Sequence, residues 1–204
     1  TLSLLDPRFL DTPAYAVEQS RQVASVMADK SRKAMDLAME LLQGYDEAKA
    51  EQVAQMETDV DRFEDELGTY LVKLSSRQLS GKDSETLNTI LHCIGDFERI
   101  SDHARNVKEA AQEMYDKKLD FSDKAQEELK VFERAVHDIL DITMNSFIKG
   151  DLNLARQVEP MEEVIDGLSL DVKQRHVRRL RKGKCTIELG FILSDVITNF
   201  ERVS

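Results

Sequence analysis

The sequence has 204 residues, 41% of them hydrophobic, so it can bury a core as one domain or as two of roughly 100 residues each. Its formal net charge of −11 disfavours DNA or RNA as a general partner, because an acidic chain gains nothing from counterion release. With no Trp, 3 Pro and 8 Gly, the composition favours helices, and no apolar run approaches the roughly 20 residues that a membrane span needs.

Capping residues and apolar positions three to four residues apart predict six long helices. The expected ranges are 13–44, 46–76, 83–117, 122–150, 151–183 and a last helix from about residue 185. Pro160 lies inside the fifth range, where it removes a backbone donor and clashes with the preceding turn. We therefore expect either a kink there or a helix that begins again at Glu159-Pro160.

The two halves of the chain resemble each other. Gln52–Asp61 aligns with Gln157–Asp166, and Ile94–Ser101 aligns with Ile197–Ser204 at nearly the same separation. A three-helix unit used twice explains both alignments. The sequence thus predicts an all-α fold of two tandem three-helix bundles, with the first unit over 13–118 and the second over 119–204.

Acidic residues recur four positions apart in both units, which places each pair on one helix face. The candidates are Glu57 with Asp61 and Glu98 with Asp102 in the first unit, and Glu162 with Asp166 and the single Glu201 in the second. Carboxylates on one face repel each other unless a cation lies between them. A hard cation such as Mg²⁺, Mn²⁺, Ca²⁺ or iron suits these ligands, while solvated carboxylates on a metal-free helical adaptor are the alternative.

No enzyme class fits the remaining residues. Di-iron and ferritin-like bundles use Glu-x-x-His pairs, and none of the four histidines has Glu three residues before it. No Ser/His/Asp set, glycine-rich phosphate loop or nucleophilic cysteine is present either. His103 is a ligand candidate or a surface histidine. The basic segment 175–182 either contacts anionic lipid headgroups or stabilises the end of its own helix.

Asp96–Asn106, which reads DFERISDHARN, resembles the hallmark segment of the PhoU family, roughly Asp-x-Glu-Arg-Ile-Gly-Asp-His-Ala-x-Asn. Ser101 replaces the usual Gly. The resemblance covers nearly the whole chain and implies two repeated three-helix bundles. It also implies metal binding through Glu/Asp-x-x-x-Asp pairs, with iron, or Mg, Mn, Ca or Zn, as the ion. The corresponding residues are Glu57, Asp61, Glu98, Asp102, Glu162, Asp166 and Glu201.

The opening segment, Leu5–Ala14, resembles the linker between the membrane portion and the C-terminal PhoU-like domain of bacterial Na⁺/phosphate cotransporters. This resemblance implies a linker over 1–12 and a regulatory domain that controls sodium-dependent phosphate uptake. It places the domain at the cytoplasmic face of the inner membrane, as part of an integral membrane protein. The implied partner is the membrane portion of the same chain, with a homodimer as a further expectation. The second repeat is then cut short in its last motif at Ser204.

A second hypothesis from the same family is a free-standing PhoU regulator of a phosphate ABC transporter and its sensor kinase. The two hypotheses share the fold and the predicted metal ligands. They differ in whether a membrane span precedes Thr1 in the full gene product.

Overall fold

The computed structural model describes residues 1–204 and consists of helices and short connections, without a β-strand. The seven α-helices are α1 (Pro13–Gln43), α2 (Glu47–Ser75), α3 (Gly81–Lys117), α4 (Asp123–Lys149), α5 (Leu152–Ala155), α6 (Val158–Arg181) and α7 (Ile187–Val203). Two short 3₁₀ turns, Leu2–Leu4 and Pro7–Asp11, come before them. The prediction of an all-α protein is confirmed.

Most helix ends lie within two residues of their predicted positions because capping residues fix them. The Ser122 hydroxyl accepts a backbone N–H of the first turn of α4, and Gly150 ends that helix with a φ of 64°, a conformation that favours glycine. Pro13 occupies the first position of α1, where its fixed φ suits a helix start. The Thr12 hydroxyl, however, makes no capping bond.

The predicted fifth helix is divided in two, so the chain has seven helices where six were expected. α5 ends at Ala155 and α6 begins at Val158, which puts Pro160 in the first turn of α6. The N–H groups of a first turn have no partner within their helix, so proline loses no hydrogen bond there. The prediction of a helix that begins again near Pro160 is therefore confirmed.

The long helices pack as two groups that share one core. α1, α2 and α3 pack against one another, and α4, α6 and α7 form the second group. α1 also packs along α4, and α3 along α7, which joins the groups side by side. The buried apolar side chains of the protein, nearly all on these helices, form one continuous cluster of 46 residues. The division at 118/119 remains a prediction, because this core crosses it.

The repeated segments lie at comparable positions in the two groups. Gln52–Asp61 lies on α2, and Gln157–Asp166 covers the start of α6. Ile94–Ser101 lies in the middle of α3, and Ile197–Ser204 covers the end of α7. The alignment thus pairs α2 and α3 with α6 and α7, which agrees with the predicted three-helix unit used twice.

The first 12 residues pack against the first group of helices. Leu10 is buried, the Tyr70 hydroxyl of α2 donates a hydrogen bond of 3.0 Å to the Asp6 carbonyl, and the Phe9 and Tyr15 rings meet edge to face. These contacts anchor the segment to α1 and α2. The prediction that residues 1–12 act as a linker stays untested.

Candidate metal centre

Two adjacent helices bring four of the predicted ligands together. On α2, Glu57 falls within the apolar stripe of Val53 and Val60, and this stripe packs into the core between α1 and α3. Asp61 lies one turn further along α2. Glu98 and Asp102, likewise one turn apart, lie on the facing part of α3. We call these four residues the acidic cluster: Glu57, Asp61, Glu98 and Asp102.

Three of the four carboxylates of the acidic cluster lie within reach of one shared ion. Glu57, Asp61 and Asp102 each place a carboxylate oxygen within 4.8 Å of the other two. The Glu98 carboxyl makes a hydrogen bond with Asp102, which ties the fourth residue to the group. Glu57 is buried and Asp61 is exposed, so the cluster extends from the core to the surface and an ion can enter from solvent.

Burial and mutual repulsion raise the pKa values of this group. Burial, followed by a hydrogen bond and repulsion from Asp102, raises the pKa of Glu98 to about 7. Burial is also the main cause that raises the pKa of Glu57 and of Asp61, and in both cases the charge of Asp102 adds to it. The cluster therefore holds more negative charge than its surroundings stabilise, and a proton or a nearby cation would relieve the repulsion.

Arg105, one turn beyond Asp102 on α3, supplies part of the missing positive charge. Its guanidinium donates a hydrogen bond of 2.5 Å to Glu57 and lies 3.7 Å from Asp102. The pKa of Glu57 is nevertheless raised, because burial outweighs the attraction of Arg105. A single guanidinium thus leaves the four carboxylates incompletely neutralised.

These residues fit a hard metal ion. All four side chains offer oxygen ligands, and carboxylate oxygens suit Mg²⁺, Mn²⁺, Ca²⁺ and iron. A bound cation would stabilise the ionised forms that burial and repulsion disfavour. The acidic cluster can therefore hold a metal ion.

A comparison with protein families shows to which family this chain belongs. The family model described as PhoU domain matches residues 24–111 and 130–204, which is most of both helix groups. The chain belongs to the PhoU family. Its resemblance to that family, drawn from Asp96–Asn106 and the internal repeat, is thereby confirmed.

Individual PhoU proteins support the assignment over nearly the whole chain. A phosphate-specific transport system accessory protein PhoU homolog 1 of Thermotoga maritima is 23% identical over 92% of this chain and 83% of its own length. A phosphate-specific transport system accessory protein PhoU homolog of Aquifex aeolicus is 22% identical over 91% of this chain and 83% of its own length.

Two crystal structures have the same fold. PhoU from Pseudomonas aeruginosa superposes with a TM-score of 0.84 at 20% identity, covering 91% of this chain and 88% of that one. The phosphate transport system regulatory protein PhoU from Streptococcus pneumoniae gives a TM-score of 0.79 at 16% identity, over 94% and 89% of the two chains. At these identities the structures show a shared PhoU fold and no more.

The predictions that placed this PhoU chain inside a cotransporter are wrong. We expected a partner in the membrane portion of the same chain and a position within an integral membrane protein. The Thermotoga and Aquifex relatives, matched over 83% of their length, are instead named as accessory proteins of a transport system. The ten residues of Leu5–Ala14 were too short a segment to decide between branches of the PhoU family. None of the seven helices is long and apolar enough to cross a membrane.

The second set of predicted ligands lies apart. Glu162 and Asp166 are exposed on α6, while the Glu201 carboxylate accepts hydrogen bonds from Lys173 (2.8 Å) and Ser169 (2.7 Å) of α6. These bonds lower the pKa of Glu201, with Lys173 as the main cause. These three residues do not form a cluster in the structure, and their role as metal ligands stays a prediction.

Two functional features of this PhoU chain were missed in the sequence. Arg105 stands three residues after Asp102, a spacing that marks it as a same-face neighbour of the cluster. Asn199 of α7 was not singled out, yet its side-chain oxygen lies 2.8 Å from His103 Nδ1 and accepts from Asn106 at 3.1 Å. His103 therefore connects the two helix groups in this structure and does not join the acidic cluster.

Proposed function

We propose that this chain is a regulatory accessory protein of a phosphate-specific transport system. The observation that carries the proposal is the match of the PhoU family model to both helix groups, residues 24–111 and 130–204. Relatives named as accessory proteins of such a system, each matched over more than nine tenths of this chain, support it. Both favour the regulator hypothesis over the cotransporter hypothesis.

This role requires no chemistry on a substrate. A regulator of transport acts by binding a partner and shifting its equilibrium between states, so a rigid helical scaffold with a cation site is sufficient. The names of the relatives, accessory and regulatory, agree with a function other than catalysis.

A replacement experiment tests the regulatory role. The chain is expressed in a bacterium whose own PhoU gene is deleted, and phosphate uptake and a phosphate-starvation reporter are measured in phosphate-rich medium. We expect the chain to restore normal uptake and to silence the reporter. Unchanged uptake and reporter activity, with the protein present at normal level, would contradict the proposal.

We further propose that the acidic cluster binds a hard metal ion. Three carboxylate oxygens within 4.8 Å of one another and the raised pKa of Glu98 support this site. The nature of the ion, iron or Mg, Mn, Ca or Zn, is left to measurement. Glu162, Asp166 and Glu201 form a second candidate site only if Lys173 releases Glu201.

Elemental analysis of purified protein separates the two candidate sites. The variant Glu98→Ala with Asp102→Ala removes half of the acidic cluster, and Glu162→Ala with Asp166→Ala makes the same change on the second set. We expect the first variant to lose most of the bound metal and the second to keep it. Unchanged metal content in the first variant would show that the acidic cluster is not the metal site. A wild-type protein without bound metal would favour a metal-free adaptor, in which Arg105 is the only cation at the cluster.

A further inference from the structure

The Arg105 guanidinium lies against two of the carboxylates that the proposed metal site would use. Its Nη1 atom is 2.5 Å from the Glu57 carboxylate, and its Nη2 atom is 3.7 Å from the Asp102 carboxylate. These two side chains and Asp61 offer oxygens within 4.8 Å of one another. The guanidinium therefore contacts two of the three groups that an ion would need as ligands.

This guanidinium is a permanent but movable charge. Arginine keeps its proton at any pH that a folded protein meets, so the cluster cannot lose this cation by titration. The Arg105 side chain is 43% exposed, against 10% for Glu57, and its ion pairs are those with Glu57 and Asp102. Rotation about the bonds of this long side chain can thus take the guanidinium into solvent while α3 stays in place.

A metal ion and the guanidinium compete for the same carboxylates. The ion needs the oxygen lone pairs of Glu57 and Asp102 as ligands, and it repels a guanidinium a few ångströms away. A monovalent ion would only exchange one unit charge for another. A divalent or trivalent ion brings more charge to the acidic cluster, so it gains electrostatic energy when it displaces Arg105.

We infer that Arg105 is a built-in competitor that lowers the affinity of the acidic cluster for divalent metal ions. It also neutralises buried Glu57 whenever the ion leaves, since an unpaired buried charge is costly. The chain thereby stays folded at low metal concentration, and the ion exchanges with solvent instead of being a fixed part of the core. This inference rests on the proposed metal site and concerns its affinity.

Isothermal titration calorimetry with Mn²⁺ tests the competition on the full chain, after treatment with EDTA and removal of the chelator. Arg105→Gln keeps a polar side chain but removes the charge, and it should tighten Mn²⁺ binding by about tenfold or more. Arg105→Lys keeps the charge, and its Mn²⁺ affinity should stay within about threefold of the wild type.

Arg99→Gln is the matched control on the same helix. Arg99 lies 3.3 Å from exposed Asp96, its ion-pair partner. It lines a cavity formed with α4, α6 and α7, and none of the lining residues lies on α2. The substitution removes the same charge as Arg105→Gln and should change Mn²⁺ affinity less than about twofold.

Urea unfolding in EDTA gives a second measurement that does not depend on bound metal. Arg105→Gln leaves buried Glu57 without its ion pair, so the variant should unfold at a lower urea concentration than the wild type and Arg105→Lys. Added Mn²⁺ should then stabilise Arg105→Gln more than the wild type, because the variant binds the ion more tightly.

The possible outcomes separate this inference from the metal site itself. Equal Mn²⁺ affinities of the wild type, Arg105→Gln and Arg99→Gln would leave the metal site intact and overturn the inference. No binding by any of these proteins at millimolar Mn²⁺ would refute the metal site, and the inference with it. Binding by Arg105→Gln alone would show the competition in its strongest form.

Discussion

Asp102 is the residue whose replacement best tests the proposed metal site. Its carboxylate lies within 4.8 Å of those of Glu57 and Asp61 and makes a hydrogen bond with Glu98. Asp102→Asn keeps the shape and one oxygen but removes the charge that α3 presents to α2. We therefore expect the substitution to change stability in opposite directions with and without metal.

Without metal, the variant should be more stable than the wild type at neutral pH. Two unit charges at the upper limit of 4.8 Å repel by roughly 3.5 kcal/mol at an effective dielectric constant of about 20. Exposure of Asp61 and salt reduce this value, and the lost contact with Arg105, at 3.7 Å, opposes it. The net gain in the free energy of unfolding is then about 1–2 kcal/mol.

With metal, the order should reverse. A ligand that binds only the folded state stabilises it by about 2.7 kcal/mol at a concentration of 100 times Kd, and Asp102→Asn should lose most of this gain. Urea unfolding followed by circular dichroism, in EDTA and in Mn²⁺, measures both effects. Glu109→Gln, an exposed change on the same helix, is the control that should show neither. A variant that Mn²⁺ stabilises as much as the wild type, or that is less stable in EDTA, would refute the reasoning.

Three further substitutions test packing and titration elsewhere in the chain. Gly190→Ala should reduce the free energy of unfolding by about 1–3 kcal/mol, because the new Cβ would lie 2.8 Å from Nε2 of buried His176. Gly167→Ala, within α6 and with no atom within 4 Å of its Cβ, should instead increase the free energy of unfolding by about 0.5–1 kcal/mol. Thermal unfolding of both variants measures these changes, and a shift of both in the same direction would contradict the prediction. Burial raises the pKa of Glu133 to about 7, so the folded chain binds this proton more tightly than the unfolded chain and the wild type loses stability as pH rises from about 4.5 to about 7. Glu133→Gln should lack this loss of stability, which amounts to about 1–2 kcal/mol after allowance for partial exposure. If urea unfolding shows the same change in stability between pH 5 and 8 for the variant and the wild type, the prediction is wrong.

The helices were predictable because their signals are local. Ser122 and Gly150 mark the ends of α4 within the sequence itself, and the capping bond and the left-handed turn that they form involve only neighbouring residues. Pro160 also acts locally, but the sequence left open whether it kinks a helix or begins one. The chain breaks before Val158, so Pro160 lies in the first turn of a new helix, where proline loses no hydrogen bond.

The acidic cluster was predictable only in part. Helical spacing put Glu57 near Asp61 and Glu98 near Asp102, because residues four apart share a face. That the two pairs meet each other depends on how α2 packs on α3, which spacing within one helix does not determine. The pairing of Glu57 with Arg105, between two helices, likewise depends on tertiary packing.

The two helix groups differ in how their carboxylates are neutralised. Glu201 has its own cation in Lys173, and this bond lowers the pKa of the carboxyl. Glu98 has no such partner, and its pKa rises to about 7. Glu98 and Glu201 are equivalent in the aligned repeat, but their pKa shifts have opposite sign. Lys173 neutralises Glu201 from within the chain, whereas Arg105 neutralises the acidic cluster only in part, so protons or a metal ion can supply the rest. Lys173→Met should therefore raise the pKa of Glu201 towards or above its ordinary value and increase any metal affinity of the second unit. If NMR titration instead shows the pKa of Glu201 unchanged in that variant, the internal lysine is not what separates the two units.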